Sequence, residues 1–443
     1  MSKDNPRLLA VKTLNKISNG SYSNLQLNQV IEHSDLDSRD ISLLTNIVYG
    51  VIQHRLTLEY YLNSFLKNPK KVDSWVKELL YTSIYQMYYL NKIPERAIFN
   101  ESIKIAKKLG HDGIRRMVTG TLHQIQRNGL PSFNEITDPM RKLSIEYSIS
   151  PWIIKELKQQ VGNKKTISIL ESINKPSKQS VRFNSKLIDK SVLSSELQSE
   201  GYGVKNSSLA KSGLILTDKS ASYSNLFKTG KMTIQDESAM LPVESMDIKP
   251  HYQILDACSA PGGKTTQIAE KLDSNQGGHV FALDLHEKRL KQVEKNAKRL
   301  GVSDVLSTEA CDARKIDSLY KDEQFDQILI DAPCSGIGLI RRKPEIRYEK
   351  QLSDVNHLSS IQLDILNSVA PKLKSGGKLV YSTCTILNQE NSDVIDEFLS
   401  LNSDFELVIT KTLLELKNND KYLKIYPDDY ESDGFFVCNL IKK

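Results

Sequence analysis

The sequence predicts three consecutive units of different class. Residues 1–130 read as an all-α bundle, 140–250 as a small α+β module, and 251–443 as a doubly wound α/β domain with a mostly parallel sheet. Three observations predict this. In the first stretch apolar residues recur at i, i+3, i+4 and i+7, the period of a helix with one buried face. In the second, helical stretches give way to short strand-like runs. From Tyr252 onward, near-continuous apolar strands alternate with amphipathic helices, the pattern of a sheet covered on both faces.

The helical period is carried by RLLAVKTLNKI (7–17), DISLLTNIVYGVIQHRLTLEYYLNSFL (40–66), WVKELLYTSIYQMYYL (75–90) and RAIFNESIKIAKKLG (96–110). Turn chemistry interrupts it at SNGSYSN (18–24), KNPKK (67–71) and NKIP (91–94), and QRNGLPSFNEITDP (126–139) reads as a linker. Tyr81, Tyr85, Tyr88 and Tyr89 share one helix; a core face with wet hydroxyl tips is the commoner use of such a row than a base-stacking platform. In the module, SPWIIKELKQQVG (150–162) and TISILESIN (166–174) are helical, and SVRFN, YGVKN, GLILT and MTIQD are strand-like. The last domain runs through QILDAC, HVFALDL, VLSTEAC, FDQILIDAP, KLVYSTC, FELVIT and GFFVCNLIKK as strands.

With 39% hydrophobic and 26% charged residues over 443 positions, the composition is that of a soluble globular protein. No run approaches the roughly 18 apolar residues of a membrane span, and MSKDNPRLLAVKTL lacks a secretory apolar core, so no membrane partner and a cytoplasmic location are expected. All five cysteines (Cys258, Cys311, Cys334, Cys384 and Cys438) lie beyond residue 250. An odd number without C-x-x-C or C-x-x-H spacing argues for free thiols and against a metal site. The net charge is +6 over residues 1–150, +5 over 151–250 and −5 over 251–443. A basic first half is the footprint of a polyanion binder, although lysines also solvate helix faces.

DACSAPGGKTT (256–266) is a strand end, a glycine turn and a helix start. Its glycines allow close backbone approach, and a helix start favours an anionic group. A phosphate-binding G-x-x-x-x-G-K-[ST] loop would need glycine where Cys258 stands, which weakens a nucleotide-hydrolase reading. Asp256, Asp284 and Asp312 close three successive strands; Asp284 stands where such folds grip ribose hydroxyls, and Asp312 is placed to face an adenine. A single strand-end aspartate is often only a helix cap. DAPCSG (331–336) and YSTCT (381–385) then end two further strands with thiols, Cys334 and Cys384, facing the same cleft. A buried cysteine is usually inert, the reading adopted for Cys258, Cys311 and Cys438. Two thiols beside a methyl donor instead suit covalent activation of a pyrimidine: a thiolate adds to C6, and C5 becomes nucleophilic enough to take a methyl group. Asp331, beside the thiol loop, is the candidate acid for N3.

DACSAPGGKTT, DAPCSG and STC in this order resemble the Sun-type family of RNA cytosine-C5 methyltransferases, with VRFN (181–184) and IQDESA (234–239) as further similar segments. The resemblance implies a Rossmann-like class I methyltransferase fold and S-adenosylmethionine as cofactor. It also implies Cys384 as nucleophile, Cys334 as the residue assisting adduct release and Asp331 as acid. The residues around the cofactor would be Cys258, Ser259, Ala260, Pro261, Gly262, Gly263, Lys264, Asp284, Asp312 and Asp331. DNA enzymes of similar chemistry use the Pro-Cys thiol as nucleophile and lack the second cysteine. Residues 1–130 resemble, more weakly, the RNA-binding domain of NusB, a fusion found in the RsmB/Sun branch. That implies 16S ribosomal RNA, naked or partly assembled, as partner, with a tRNA cytosine or an RNA-binding factor with a vestigial catalytic half as the alternatives. RRKPEIRYEK (341–350) resembles the family's basic segment and is expected to meet RNA phosphates. Two departures, Gln389 in NQEN (388–391) and Cys438 in GFFVC, are expected to leave the catalytic set untouched.

Overall fold

The structure is a computed structural model and describes residues 4–20, 23–416 and 421–443, so Ser21 and Tyr22 of the SNGSYSN break lie outside the described residues. The chain divides into two compact units, Met1–Glu156 with Arg347–Glu349, and Leu157–Ile346 with Lys350–Lys443.

The first unit is helical. Asn5 caps Pro6–Ser18 by accepting the N–H groups of Arg7 and Leu8, and Asp37 caps Ser38–Gln53 in the same way. Helices Arg55–Asn63, Ser74–Tyr89, Glu95–Leu109 and Pro139–Tyr147 follow the sequence pattern or its linker. Ser23–Glu32 and Asp112–Asn128 are further helices that the apolar period does not announce. The long run 40–66 is broken at His54, whose backbone (φ −108°, ψ 24°) leaves the helical region. Its ring lies 4.2 Å from that of Tyr89. Tyr85 stacks on Tyr89 at 5.3 Å and donates its hydroxyl to Asn46 at 2.9 Å. Tyr81 and Tyr85 are core residues, whereas Tyr88 is exposed.

The second unit holds two sheets. Strands β1 (Gln179–Phe183), β2 (Gly203–Asn206), β3 (Gly213–Thr217) and β4 (Met232–Ile234) form an antiparallel sheet in the order β2-β3-β1-β4. Leu193 and Leu197 of helix Lys190–Ser199 pack with Val181, Leu214 and Met232 of this sheet. The larger sheet contains β5 (Gln253–Asp256), β6 (His279–Asp284), β7 (Leu306–Ala310), β8 (Phe325–Asp331), β9 (Leu373–Thr383), β10 (Phe405–Val408), β11 (Leu423–Ile425) and β12 (Phe435–Lys442). Its order is β10-β12-β9-β8-β5-β6-β7, with β11 on β12. Strands β5 to β9 pair parallel, and β12 enters antiparallel to β9. The chain leaves β5 toward β6 on one side and later returns to β8 on the other. That reversal opens a crevice beyond the carboxyl ends of β5, β6 and β8. No helix among the described residues is long and apolar enough to cross a membrane.

Candidate functional site

Each strand that feeds the crevice runs apolar into a closing aspartate, Ile254-Leu255 into Asp256, Val280 to Leu283 into Asp284 and Ile328 to Ile330 into Asp331, so these carboxylates emerge at one rim. Asp256 ends β5, Asp284 ends β6 and Asp331 ends β8, with Asp331 in register with Ser382 of β9. Asp256 is fully buried and donated to by Thr265 Oγ1 at 2.7 Å; burial pushes its carboxyl up to about 7.

Gly262 sits at φ +99°, a conformation open to glycine, and an added Cβ would stand 3.0 Å from the backbone of Val293. Gly263 follows with nothing nearer than 3.7 Å to such a Cβ, the neighbour there being the Gln235 side chain. The Ser259 hydroxyl is buried in this turn and has no hydrogen-bond partner. A glycine turn with an unpartnered hydroxyl, next to a buried strand-end carboxylate, fits a cofactor that carries hydroxyl, amine and carboxylate groups. Asp284 is that carboxylate: it accepts the His286 N–H at 3.0 Å and pairs with Arg289 at 3.1 Å. Arg289 also donates to the Ala260 carbonyl at 2.9 Å, tying β6 to the turn. Asp312 lies just past β7, where it caps the next turn and holds Arg314 at 2.7 Å. Cys258 is half-buried by surface exposure, and its thiol is pushed well up, by burial first and then by Asp256.

Cys334 and Cys384 come together from adjacent strands, Sγ to Sγ 3.2 Å. The Cys334 thiol is pushed well up, first by its hydrogen bond to Cys384 and then by burial. A backbone bond from Gly338 N–H to the Cys384 carbonyl (3.0 Å) joins the two loops. A Cβ at Gly338 would meet the Gly434 carbonyl at 2.1 Å, so only glycine permits that approach. Asp331 faces the same space: Oδ1 accepts from Ser382 Oγ at 2.9 Å and Oδ2 from Lys264 Nζ at 2.7 Å. Lys264 also lies 4.9 Å from the centre of the Phe435 ring. Cys311 is half-exposed beside Asp312, and Cys438 is buried within β12 opposite Tyr381, where burial pushes its thiol up. Among the described residues no cluster of three or more His, Cys, Asp or Glu side chains is arranged to hold a metal ion.

One expectation is corrected. The arginines of RRKPEIRYEK are not held out toward phosphates. Arg341 donates to the carbonyls of Glu431 and Pro427 (2.5 and 2.9 Å), and Arg342 pairs with Asp236 and Asp433 (2.6 and 2.7 Å). Arg347 is fully buried in the first unit, donating to the carbonyls of Tyr147, Ser148 and Gln53. A basic run reads as solvated because buried arginine is rare; here carbonyls and carboxylates replace the water. Two residues of the NQEN segment, Glu390 and Asn391, lie beside the thiol loops and were not singled out in the sequence. Glu390 accepts the Ser335 N–H at 2.7 Å, and Asn391 Nδ2 donates to the Thr385 carbonyl at 3.1 Å. Sequence reasoning also missed Ser382 and Arg289, which hold Asp331 and Asp284. Arg182 was missed as a brace: it pairs with buried Glu270 and bonds Thr266 Oγ1 at 3.1 Å behind the glycine turn. VRFN and IQDESA, the segments of Arg182 and Asp236, were the available signal.

Comparison with known proteins agrees along the whole chain. Residues 243–441 match the family described as 16S rRNA methyltransferase RsmB/F. Residues 4–127 match the NusB family, and 150–222 match the ferredoxin-like domain of RsmF/B-like methyltransferases. The "Probable ribosomal RNA small subunit methyltransferase B" of Bacillus subtilis (strain 168) is 42% identical over 449 residues, covering 100% of both chains. The "Ribosomal RNA small subunit methyltransferase B" of Yersinia enterocolitica is 30% identical and covers 99% of both. The crystal structure of PH0851 shares the fold over 99% of both chains, with a TM-score of 0.82 at 24% identity. A methyltransferase homolog protein from Pyrococcus horikoshii superposes with a TM-score of 0.60 at 30% identity, over 69% of this chain and 100% of its own. The three domain matches and the full-length relatives point the same way, and the chain belongs to the RsmB/F family of 16S rRNA methyltransferases.

Proposed function

We propose that this protein methylates C5 of a cytosine in 16S rRNA, using S-adenosylmethionine, through a transient bond between Cys384 Sγ and C6 of the base. The observation that carries the reading is the thiol pair at 3.2 Å beside a carboxylate gripped by Lys264. One thiol suffices for attack; a second at this distance suits a release step.

Cys384 gives its thiol proton to solvent as Sγ bonds to C6, and the electron density displaced onto the ring is stabilised by a proton at N3. Asp331 relays that proton from the Lys264 ammonium, 2.7 Å away, and the ion pair is restored when N3 gives the proton back on release. The turn from Cys258 to Lys264, with Asp284 and Asp312, holds the cofactor, which supplies an electrophilic methyl group when bound. Once the methyl is on C5, the C5 proton must leave so that the S–C6 bond can break. Cys334 assists there. Its Sγ lies 3.2 Å from that of Cys384, which places it beside the adduct to take up the C5 proton.

The family membership and the NusB match support RNA as substrate, as does the positive balance of residues 1–250. The test is mass-spectrometric mapping of 5-methylcytosine in rRNA and tRNA from cells with and without the gene. Loss at a 16S position is expected; loss confined to tRNA contradicts the substrate.

A further inference from the structure

We infer that Glu390 and Asn391 are the positioning residues of the thiol pair: Glu390 sets the loop carrying Cys334, and Asn391 sets the strand end carrying Cys384. The inference rests on the covalent reading above for its kinetic consequences and on geometry alone for the rest.

The Glu390 side chain is completely buried. Its carboxylate accepts the Ser335 N–H at 2.7 Å, the Ser335 hydroxyl at 2.5 Å and Gln362 Nε2 at 3.3 Å. Gln362 Nε2 also donates to the Pro333 carbonyl at 2.8 Å. Both neighbours of Cys334, Pro333 and Ser335, therefore hang on one carboxylate and its amide partner. Asn391 does the same for Cys384. Its Oδ1 accepts from Thr383 Oγ1 at 2.5 Å, and its Nδ2 donates to the Thr385 carbonyl at 3.1 Å. The two clamps meet where Ser335 Oγ lies 3.1 Å from Thr385 Oγ1. Tyr381 of β9 fastens the turn itself by donating to the Glu390 carbonyl at 2.8 Å.

A buried carboxylate is costly, and an apolar residue there would serve packing better. What the carboxylate adds is direction. It fixes the backbone N–H next to Cys334, and a displacement of about 1 Å in a reacting group can cost on the order of 10²-fold in rate. Adjacent residues on one turn thus fix two thiols separated by 50 positions in sequence.

The test compares Glu390→Gln and the milder Ser335→Ala with Asn391→Ala in the full chain. Two readouts are used. The first is the formation and decay of a denaturant-stable RNA adduct in the presence of S-adenosylmethionine. The second is the rate of iodoacetamide alkylation at each cysteine, mapped by mass spectrometry without RNA. Glu390→Gln is expected to form adduct at near the wild-type rate but release it about 10–100-fold more slowly. Its KM for RNA and its cofactor affinity should be unchanged, and the alkylation rate should change at Cys334 and not at Cys384. Ser335→Ala should shift both readouts in the same direction by less. Asn391→Ala is expected to slow adduct formation and to change alkylation at Cys384. Equal changes at both thiols in every variant, tracking loss of cofactor affinity and melting temperature, would overturn the inference. If Cys334→Ala forms no adduct with RNA, the covalent reading fails, and the alkylation rates alone decide the positioning claim.

Discussion

The Lys264 ammonium lies 2.7 Å from Asp331 Oδ2, so the cofactor turn and the end of β8 share one ion pair at the rim of the crevice. Ser382 takes the other carboxylate oxygen at 2.9 Å, which leaves Asp331 little freedom to turn away. Asp331→Asn should therefore keep the fold and lose about 10²–10⁴-fold in methyl transfer, the usual range for one general acid. Lys264→Met should fall in the same direction, because the donor behind Asp331 is gone. Single-turnover transfer of labelled methyl measures both. Near-normal rates in Asp331→Asn would leave that residue a strand cap.

Asp284→Ala should weaken S-adenosylmethionine binding while leaving turnover at saturating cofactor close to normal. Asp312→Ala should weaken it less, since Arg314 already occupies both oxygens of that carboxylate at 2.7–3.2 Å. Calorimetric titration ranks the two. An unchanged affinity for Asp284→Ala would remove it from the cofactor site.

Arg347 should matter for stability and not for RNA phosphate. Arg347→Met keeps the bulk but leaves buried carbonyls unpaired, a loss of about 1–3 kcal/mol, read as a lower melting midpoint. The slope of log affinity for RNA against log salt should stay at its wild-type value. A phosphate contact would instead reduce that slope by about one.

His54 predicts a pH dependence. Burial, aided by the nearby Arg347 charge, lowers its imidazole from 6.5 to about 4. The unfolded chain thus takes up a proton near pH 6.5 that the folded chain refuses until about pH 4. Stability from this group is full above pH 6.5 and is lost as pH falls through that window, about 3 kcal/mol at the acid end. His54→Gln should flatten the dependence of melting temperature between pH 6.5 and 4 relative to wild type. Parallel curves for the two proteins would contradict the assignment.

The rim of the crevice was legible because the last half of each strand is a run of apolar residues that stops at an aspartate. Asp256, Asp284 and Asp331 fall at those stops. The glycine turn was legible for a similar reason, since Gly262 occupies a backbone conformation closed to other residues. The break at His54 was not, because the apolar period continues across it and only tertiary stacking on Tyr89 marks the place. Strand direction has no compositional sign either, so β12 entering antiparallel was not foreseen. Glu390 was given no role in the sequence, where only Gln389 of NQEN stood out. Its partner Ser335 is 55 positions away, and a hydrogen bond across that separation leaves no local pattern. Arg347 failed in the opposite sense: its charge suggested solvent, and its burial depends on three backbone carbonyls that no sequence motif announces.

The central claim is the division of labour between two thiols held 3.2 Å apart. It is tested most directly by incubating Cys384→Ala and Cys334→Ala with 16S rRNA and S-adenosylmethionine and resolving the products on a denaturing gel. Cys384→Ala should give neither methylation nor adduct. Cys334→Ala should attack and methylate but release slowly, so that a denaturant-stable protein–RNA complex accumulates. Adduct trapped by Cys384→Ala and not by Cys334→Ala would contradict the assignment and exchange the two roles.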